Sequence, residues 1–497
     1  MTPRGFADAT GERTLQVDVV VVGSGPGGSA VSRALAERGA KVLVLEEGPP
    51  KPRFRPSMPH TQRYHMQEGG LIVARGSGFM PIAAGRGVGG GSLINSAICF
   101  RTPDHVLDGW AEVLGGDARF APAAMAPVFD ELEALLGIGT TPDEVLGENN
   151  RIIIRGARAL GLPGGAVRRN APGCAGCGLC NHGCPIGGKA SVDRVLLPIA
   201  AAHGAIIQGD ARVTRVIVEG GRAVGVEARI HDTDSLEVVG ALTVRAGTVV
   251  LAAGAIGTPR LLWSSGLGDL GPVGDGLHVH PGNAVLGLCD HEVVMWRGAT
   301  QGAWFEDPAL PGVLPHTLSL PPGPALLMLG PSGAAAKASH ELLPNLCGCV
   351  VMISDHGTGR VRATADGRAD VTYTFEPNDV QRIKDGMRTT ASVLMAGGAR
   401  EVMAPVHGLG RYTDVDAFTA ALATRDVTDF TLYASHPMST CRMGADPSRA
   451  VIGPTGEAHR LPGLVIADAS VFPTSLGVNP QLTTMAVATM IGRALPL

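Results

Sequence analysis

Residues 17–46, VDVVVVGSGPGGSAVSRALAERGAKVLVLE, constrain this chain more than any other stretch. VDVVVV is β-branched without alternation, which suits a strand buried on both faces of a parallel sheet. GSGPGG follows, then SAVSRALAERG, a helical pattern stopped by Gly39. KVLVL at 41–45 is a second buried strand, and Glu46 ends it. Together they predict a βαβ unit. Gly23, Gly25 and Gly28 form G-x-G-x-x-G between strand and helix. These glycines permit the tight turn, the approach of a pyrophosphate and close helix–strand packing. The helix N-terminus adds free N–H groups and partial positive charge, worth about 0.3–1 kcal/mol per nearby negative charge. Glu46 stands where an acid accepts hydrogen bonds from ribose hydroxyls. The unit predicts a dinucleotide site, and the loop alone does not separate NAD from FAD.

At 497 residues the chain is too long for one simple core, and two large domains are expected. Hydrophobic residues at 45% and charged residues at 17% describe a globular protein with a substantial core. A formal net charge of -4 argues against nucleic acid as the main partner, which would need a basic stripe. The opening MTPRGFADATGERTLQ is polar and carries no secretory signal pattern. No apolar run reaches the roughly 18 residues of a membrane-spanning helix. The expectation is a soluble, cytoplasmic protein.

Further along, 123–136, 150–160, 255–265 and 378–397 read as helices. Residues 212–230, 237–252 and 370–377 read as strands. The segment 308–333, PALPGVLPHTLSLPPGPALLMLGPSG, is apolar yet rich in proline, and predicts neither a normal helix nor a central strand. It reads either as a lid over a greasy substrate or as a surface crossing.

Cys174, Cys177, Cys180 and Cys184 lie in a C-x2-C-x2-C-x3-C run within residues 173–191, with Pro185 next. Bacterial ferredoxins use this run for an iron–sulfur cluster. Three readings stand: a cluster, a zinc site with His182 as a possible extra ligand, or free thiols in a tight loop. Cys99, Cys289, Cys347, Cys349 and Cys441 are scattered and read as small buried hydrophobes.

Residues 85–101, GRGVGGGSLINSAICFR, resemble the first signature of the glucose–methanol–choline (GMC) flavin oxidoreductases, and 254–267, GAIGTPRLLWSSGL, the second. VGDGLHVHP at 273–281 resembles the family's next landmark. HPMSTCRMGADP and GLVIADASVFPTSLGVNPQLTTMAVA are similar to its closing block. The resemblance implies a Rossmann-like α/β domain that binds FAD, and a substrate domain with an antiparallel sheet packed with helices. The expected division is 1–284 for FAD, 285–430 for substrate, and 431–497 returning to the FAD domain with the catalytic residues.

The same resemblance implies oxidation of an alcohol by hydride transfer to the flavin. Gly89, Gly90, Gly91 and Ser92 would let backbone pass close to the cofactor. Asn95, Ala253 and Asp468 would lie against it. Ile94 stands where some members carry a flavin-linked histidine, so the FAD is expected to be non-covalent. His436 matches the family's base and Asn479 its partner, a donor to the substrate oxygen. His278 and His280 read as structural. GCPIGGKASVDRVLLPIAAAHGA and GRVRATADGRADVTYTFEPNDVQRI resemble the long-chain alcohol oxidase and cholesterol oxidase-like branch, so the expected substrate is bulky and apolar. The Cys run also resembles the segment that holds an iron–sulfur centre in some dehydrogenase members. A cluster there would make the enzyme a dehydrogenase that passes electrons to a carrier protein, which is the expectation; without one the acceptor would be oxygen. The alternatives are a sugar or polyol dehydrogenase of this family, or a lyase that keeps FAD only as structure.

Overall fold

The computed structural model describes residues 2–329 and 333–496. The strand Gly11–Val22 (β1) leads through the helix Pro26–Ala36 into Val42–Leu45 (β2). Val19–Val22 and Val42–Leu45 are buried throughout, as strands covered on both faces must be. Ile206–Gln208 (β3) extends the sheet beyond β2. Ala211–Glu219 (β4), Arg222–His231 (β5) and Val238–Leu251 (β6) form a meander on the other side. The sheet order is β3-β2-β1-β6-β5-β4, and the late strand Leu464–Ile466 also pairs with β6. The parallel pairing of β1 with β6 runs from Gly11↔Gly240 to Val22↔Leu251. The helix Gln481–Ala494 then packs on Pro26–Ala36, joining the two ends of the chain.

A second sheet is antiparallel and has six strands. It contains Gly282–Leu288 (β7), Ala303–Phe305 (β8), Val313–Thr317 (β9) and Leu346–Ile353 (β10). β7 pairs with β10, β10 with β9, and β9 with β8. The helices Glu148–Ala159 and Pro377–Ala396 cover one face, where Val285, Cys347, Cys349, Val351 and Phe305 join the core. All five scattered cysteines are buried. No helix among the described residues is long and apolar enough to cross a membrane.

The proline-rich segment departs from the expectation. Residues 313–317 form a strand flanked on both sides, and Pro322–Leu329 is a helix; residues 330–332 lie outside the described residues. The prolines sit where they do little harm. Pro322 and Pro324 fall in the first helical turn, whose N–H groups have no intrahelical partner. Pro315 lies in β9, whose neighbour β8 engages it through a single register pair, Trp304↔His316. Few ladder bonds are therefore at stake on that side.

The helix Pro122–Leu136 is tied to its surroundings by charge. Glu133 meets Arg101 at 2.8 Å and Arg168 at 2.6 Å. Partial burial pushes the Glu133 carboxyl up, but Arg101 and Arg168 outweigh it and hold it at about 2. A depressed carboxylate adds stability above its unfolded value and loses it as pH falls through the folded value. Glu133→Gln is therefore expected to lower Tm at neutral pH. The gap from the parent should close between about pH 4.5 and about 2 in thermal scans. A gap independent of pH would contradict this role.

Candidate functional site

The glycine loop is shaped by close packing. A Cβ on Gly23 would lie 2.3 Å from the Ala252 carbonyl, and one on Gly28 would lie 2.0 Å from the Gly23 carbonyl. Gly25 caps the helix Pro26–Ala36 without a side-chain bond, so the first N–H groups stay available to an anion. Across from it runs the 89–92 loop, where a Cβ on Gly90 would lie 2.6 Å from Gly25 Cα. Gly91 faces open space. An uncapped helix start between two glycine-lined backbones fits the pyrophosphate of a dinucleotide.

Glu46 stands at the end of β2 with a further task. Its carboxylate accepts Ser24 N–H at 3.0 Å, Ser24 Oγ at 2.8 Å, Gly48 N–H at 3.0 Å and Gly87 N–H at 3.0 Å. It thus clamps the glycine loop to the 87–92 loop. Burial raises its pKa, partly opposed by these donors. Asp468 is likewise engaged: it accepts from Gly254 N–H at 2.9 Å, Thr258 Oγ1 at 2.6 Å and Ser470 N–H at 2.8 Å. It joins the strand Leu464–Ile466 to the start of the helix Gly254–Ser264, next to Ala253. Ser92 donates to the Gly89 carbonyl at 2.7 Å. Asn95 donates to Gln481 Oε1 at 2.8 Å, two residues beyond Asn479.

The cysteine run buttresses this loop. Lys189 is fully buried and donates to the carbonyls of Leu93 and Asn95, both at 2.9 Å. Arg169 donates to the Ser96 carbonyl at 2.9 Å and lies 3.2 Å from Cys180 Sγ and 3.7 Å from Cys174 Sγ. Burial would raise the Cys180 thiol, but Arg169 and Lys189 more than offset it and lower its pKa. Cys184 Sγ accepts Lys189 N–H at 3.3 Å, while Cys177 is exposed. The expected metal set of Cys174, Cys177, Cys180 and Cys184 lines one small cavity together with Lys189. Among the described residues no three Cys, His, Asp or Glu side chains form a group able to hold a metal ion. Two cations, Arg169 and Lys189, face the buried Cys180 thiol.

His436 and Asn479 do meet: His436 Nε2 lies 3.1 Å from Asn479 Nδ2. Sequence reasoning missed the group behind them. His280, read as structural, places Nδ1 at 3.3 Å from His436 Nδ1, and Gly477 N–H donates to His280 Nε2 at 3.0 Å. His280 has φ of 51°, a left-handed backbone that is costly outside glycine. Buried Asp355 holds it there. The carboxylate accepts from Val279 N–H at 3.0 Å, His280 N–H at 3.3 Å, Tyr373 Oη at 2.7 Å and Ser475 Oγ at 2.8 Å. His278 adds a contact at 3.5 Å. One carboxylate therefore joins the HVHP segment, the antiparallel sheet and the 475–479 loop. The HVHP motif was the available signal for His280; nothing local marks Asp355.

Burial, with His280 and His316 next, holds His436 well below the usual histidine value. Burial likewise holds His280 and His316 at about 4. His316 is on β9, and register puts it on one face with Ala284, Val350 and Trp304. Its neighbouring rows carry Leu314 and Met352 on one side and Leu318 and Leu286 on the other. Leu286 and Leu318 join an apolar cluster with Leu320, Ala325 and Leu343. The proline-rich segment thus packs beside His316.

Residues 63–282 and 355–488 match the sequence family described as GMC oxidoreductase, and residues 21–50 match the NAD(P)-binding Rossmann-like domain. An uncharacterized GMC-type oxidoreductase of Mycobacterium tuberculosis is 36% identical over 95% of this chain and 75% of its own length. A long-chain-alcohol oxidase of Arabidopsis thaliana is 30% identical over 95% of this chain and 67% of its own. The crystal structure of pyridoxine 4-oxidase from Mesorbium loti shares the fold, with a TM-score of 0.73 at 20% identity, covering 96% of this chain and 98% of that one. The chain belongs to the GMC oxidoreductase family.

Removing the clamp at Glu46 tests the cradle. Glu46→Ala is expected to weaken cofactor retention while leaving the helices folded, read by bound-cofactor absorbance and circular dichroism. Unchanged retention would show that the clamp does not shape the site.

Proposed function

We propose that this enzyme oxidises a bulky, apolar alcohol to an aldehyde or ketone with non-covalently bound FAD. Gly23, Gly25, Gly28 and the 89–92 loop hold the pyrophosphate, with Glu46 and Asp468 fixing the loops around it. When bound, the flavin supplies the hydride acceptor. His436 is the acid–base group on the substrate oxygen, and Asn479 is its amide partner. The observation that carries this reading is the His436–Asn479 contact at 3.1 Å, at the meeting point of the cofactor loops and the antiparallel sheet. Ile94, in place of a linking histidine, supports non-covalent binding. We divide the chain as 1–284, 285–430 and 431–497 on the same reading.

The apolar row beside His316 and the packed proline-rich segment favour a greasy substrate over a sugar. Similarity to long-chain-alcohol oxidases favours the same choice. It also favours oxygen as acceptor, since the argument for a carrier rested on a cluster in the thiol run.

His436→Ala should keep FAD and lose roughly 10²–10⁴-fold in flavin reduction by alcohol. Near-normal reduction would remove His436 from the chemistry. Burial lowers the His436 pKa, so the ring stays neutral at pH 7. The acid limb of the flavin-reduction profile should therefore lie below pH 6.5; a limb above it would contradict that environment. An anaerobic screen of long-chain, sterol and sugar alcohols tests the substrate class. Flavin bleaching by sugars alone would overturn it, and no bleaching by any alcohol would favour a lyase.

A further inference from the structure

A backbone N–H can only donate. Gly477 N–H reaches His280 Nε2 at 3.0 Å, so that nitrogen is a lone pair. Neutral His280 then carries its proton on Nδ1. That N–H faces His436 Nδ1 at 3.3 Å, which makes His436 Nδ1 the acceptor. The remaining ring proton of neutral His436 must sit on Nε2. We infer that His280 is a positioning residue that sets the tautomer of His436, holding its resting proton on Nε2.

The inference requires the Asn479 amide to be turned over: as placed, Nδ2 faces His436 Nε2 and would ask it to accept, while Oδ1 is buried with no partner. Two donors cannot share one hydrogen bond. Amide oxygen and nitrogen differ only by the network they enter. Turning the amide over puts Oδ1 on the Nε2–H and removes the orphaned oxygen. Nδ2 then takes the buried place of Oδ1, where it needs an acceptor.

This deepens the reading of His436 as the base and rests on it. In the resting pair His436 Nε2–H is given to Asn479 Oδ1, leaving only Asn479 Nδ2 as a donor. To take the hydroxyl proton at Nε2, His436 must exchange tautomers with His280. Water takes the proton from His436 Nε2, and the His280 Nδ1 proton passes across the 3.3 Å contact to His436 Nδ1. Water then returns a proton to His280 Nε2, which releases Gly477 N–H. No proton is gained or lost in that exchange; the hydroxyl proton then adds at His436 Nε2 as hydride leaves carbon. The His280 N–H also opposes a protonated His436, whose other ionisable neighbours are His316 and Asp355. His280 in turn faces Asp355, His278 and His316.

The test is ring-nitrogen NMR on FAD-loaded protein labelled at histidine, with His436→Gln and His280→Phe used to assign signals. The expected spectrum shows His436 with Nε2–H and His280 with Nδ1–H. A His436 ring protonated at Nδ1 would overturn the inference. In parallel, His280→Phe with normal FAD content should raise the acid limb of flavin reduction by about one pH unit; an unmoved limb counts against it. If that variant does not fold, the spectrum of the unaltered protein still decides. Loss of the base reading would appear separately, as near-normal reduction by His436→Ala.

Discussion

The parallel pairing of β1 with β6 is the constraint on which the site depends. It aligns Val19–Val22 with Thr248–Leu251, and the strand Leu464–Ile466 adds its own register to Val249–Leu251. Three segments separated by hundreds of residues therefore end at one edge. Gly23, Ala253 and Asp468 emerge there together. Parallel strands place their loops at a common end, and ligands bind in the crevice outside the carboxyl ends. Moving that register by one residue would pull the loop starts at Gly23, Ala253 and Asp468 out of line.

Two buried ionic groups carry this order outward. Lys189 fastens the 93–95 backbone from beneath, and burial holds it at about 8 despite nearby thiols. Asp355 fastens the other side; burial alone would raise its carboxyl, but His278, then His280 and Tyr373, hold it far below the usual range. Buried charges persist only when hydrogen-bonded. Each here has partners from segments that would otherwise be independent loops. The result is a set of neutral imidazoles in a low-dielectric site with one compensated carboxylate behind them.

The cysteine run shows how the same residues take on a different task in three dimensions. Its spacing suits metal ligation, while Arg169 and Lys189 face the buried Cys180 and Cys177 is exposed. The segment acts as a brace under the cofactor loop. The glycines that make it resemble a ligand loop also let it pack closely: a Cβ on Gly178 would lie 1.9 Å from the Trp296 carbonyl.

Much of this was legible in the sequence because local chemistry demanded it. VVVV at 19–22 is buried on both faces, though Asp18 is exposed, G-x-G-x-x-G must turn tightly, and 377–396 repeats with helical period, so the Rossmann unit and the main helices follow from short-range rules. His436 and Asn479 were legible through resemblance, since no spacing rule pairs residues 43 apart. What only tertiary structure decided was partnership. Glu46 became a clamp because the 87 loop folded onto it. Pro315 entered a flanked strand because its neighbour β8 is short. His280 joined His436 because Asp355, which lies 75 residues beyond it, holds a left-handed backbone that its own sequence disfavours. Such choices depend on which distant group supplies the missing hydrogen bond, and a one-dimensional pattern carries no record of that.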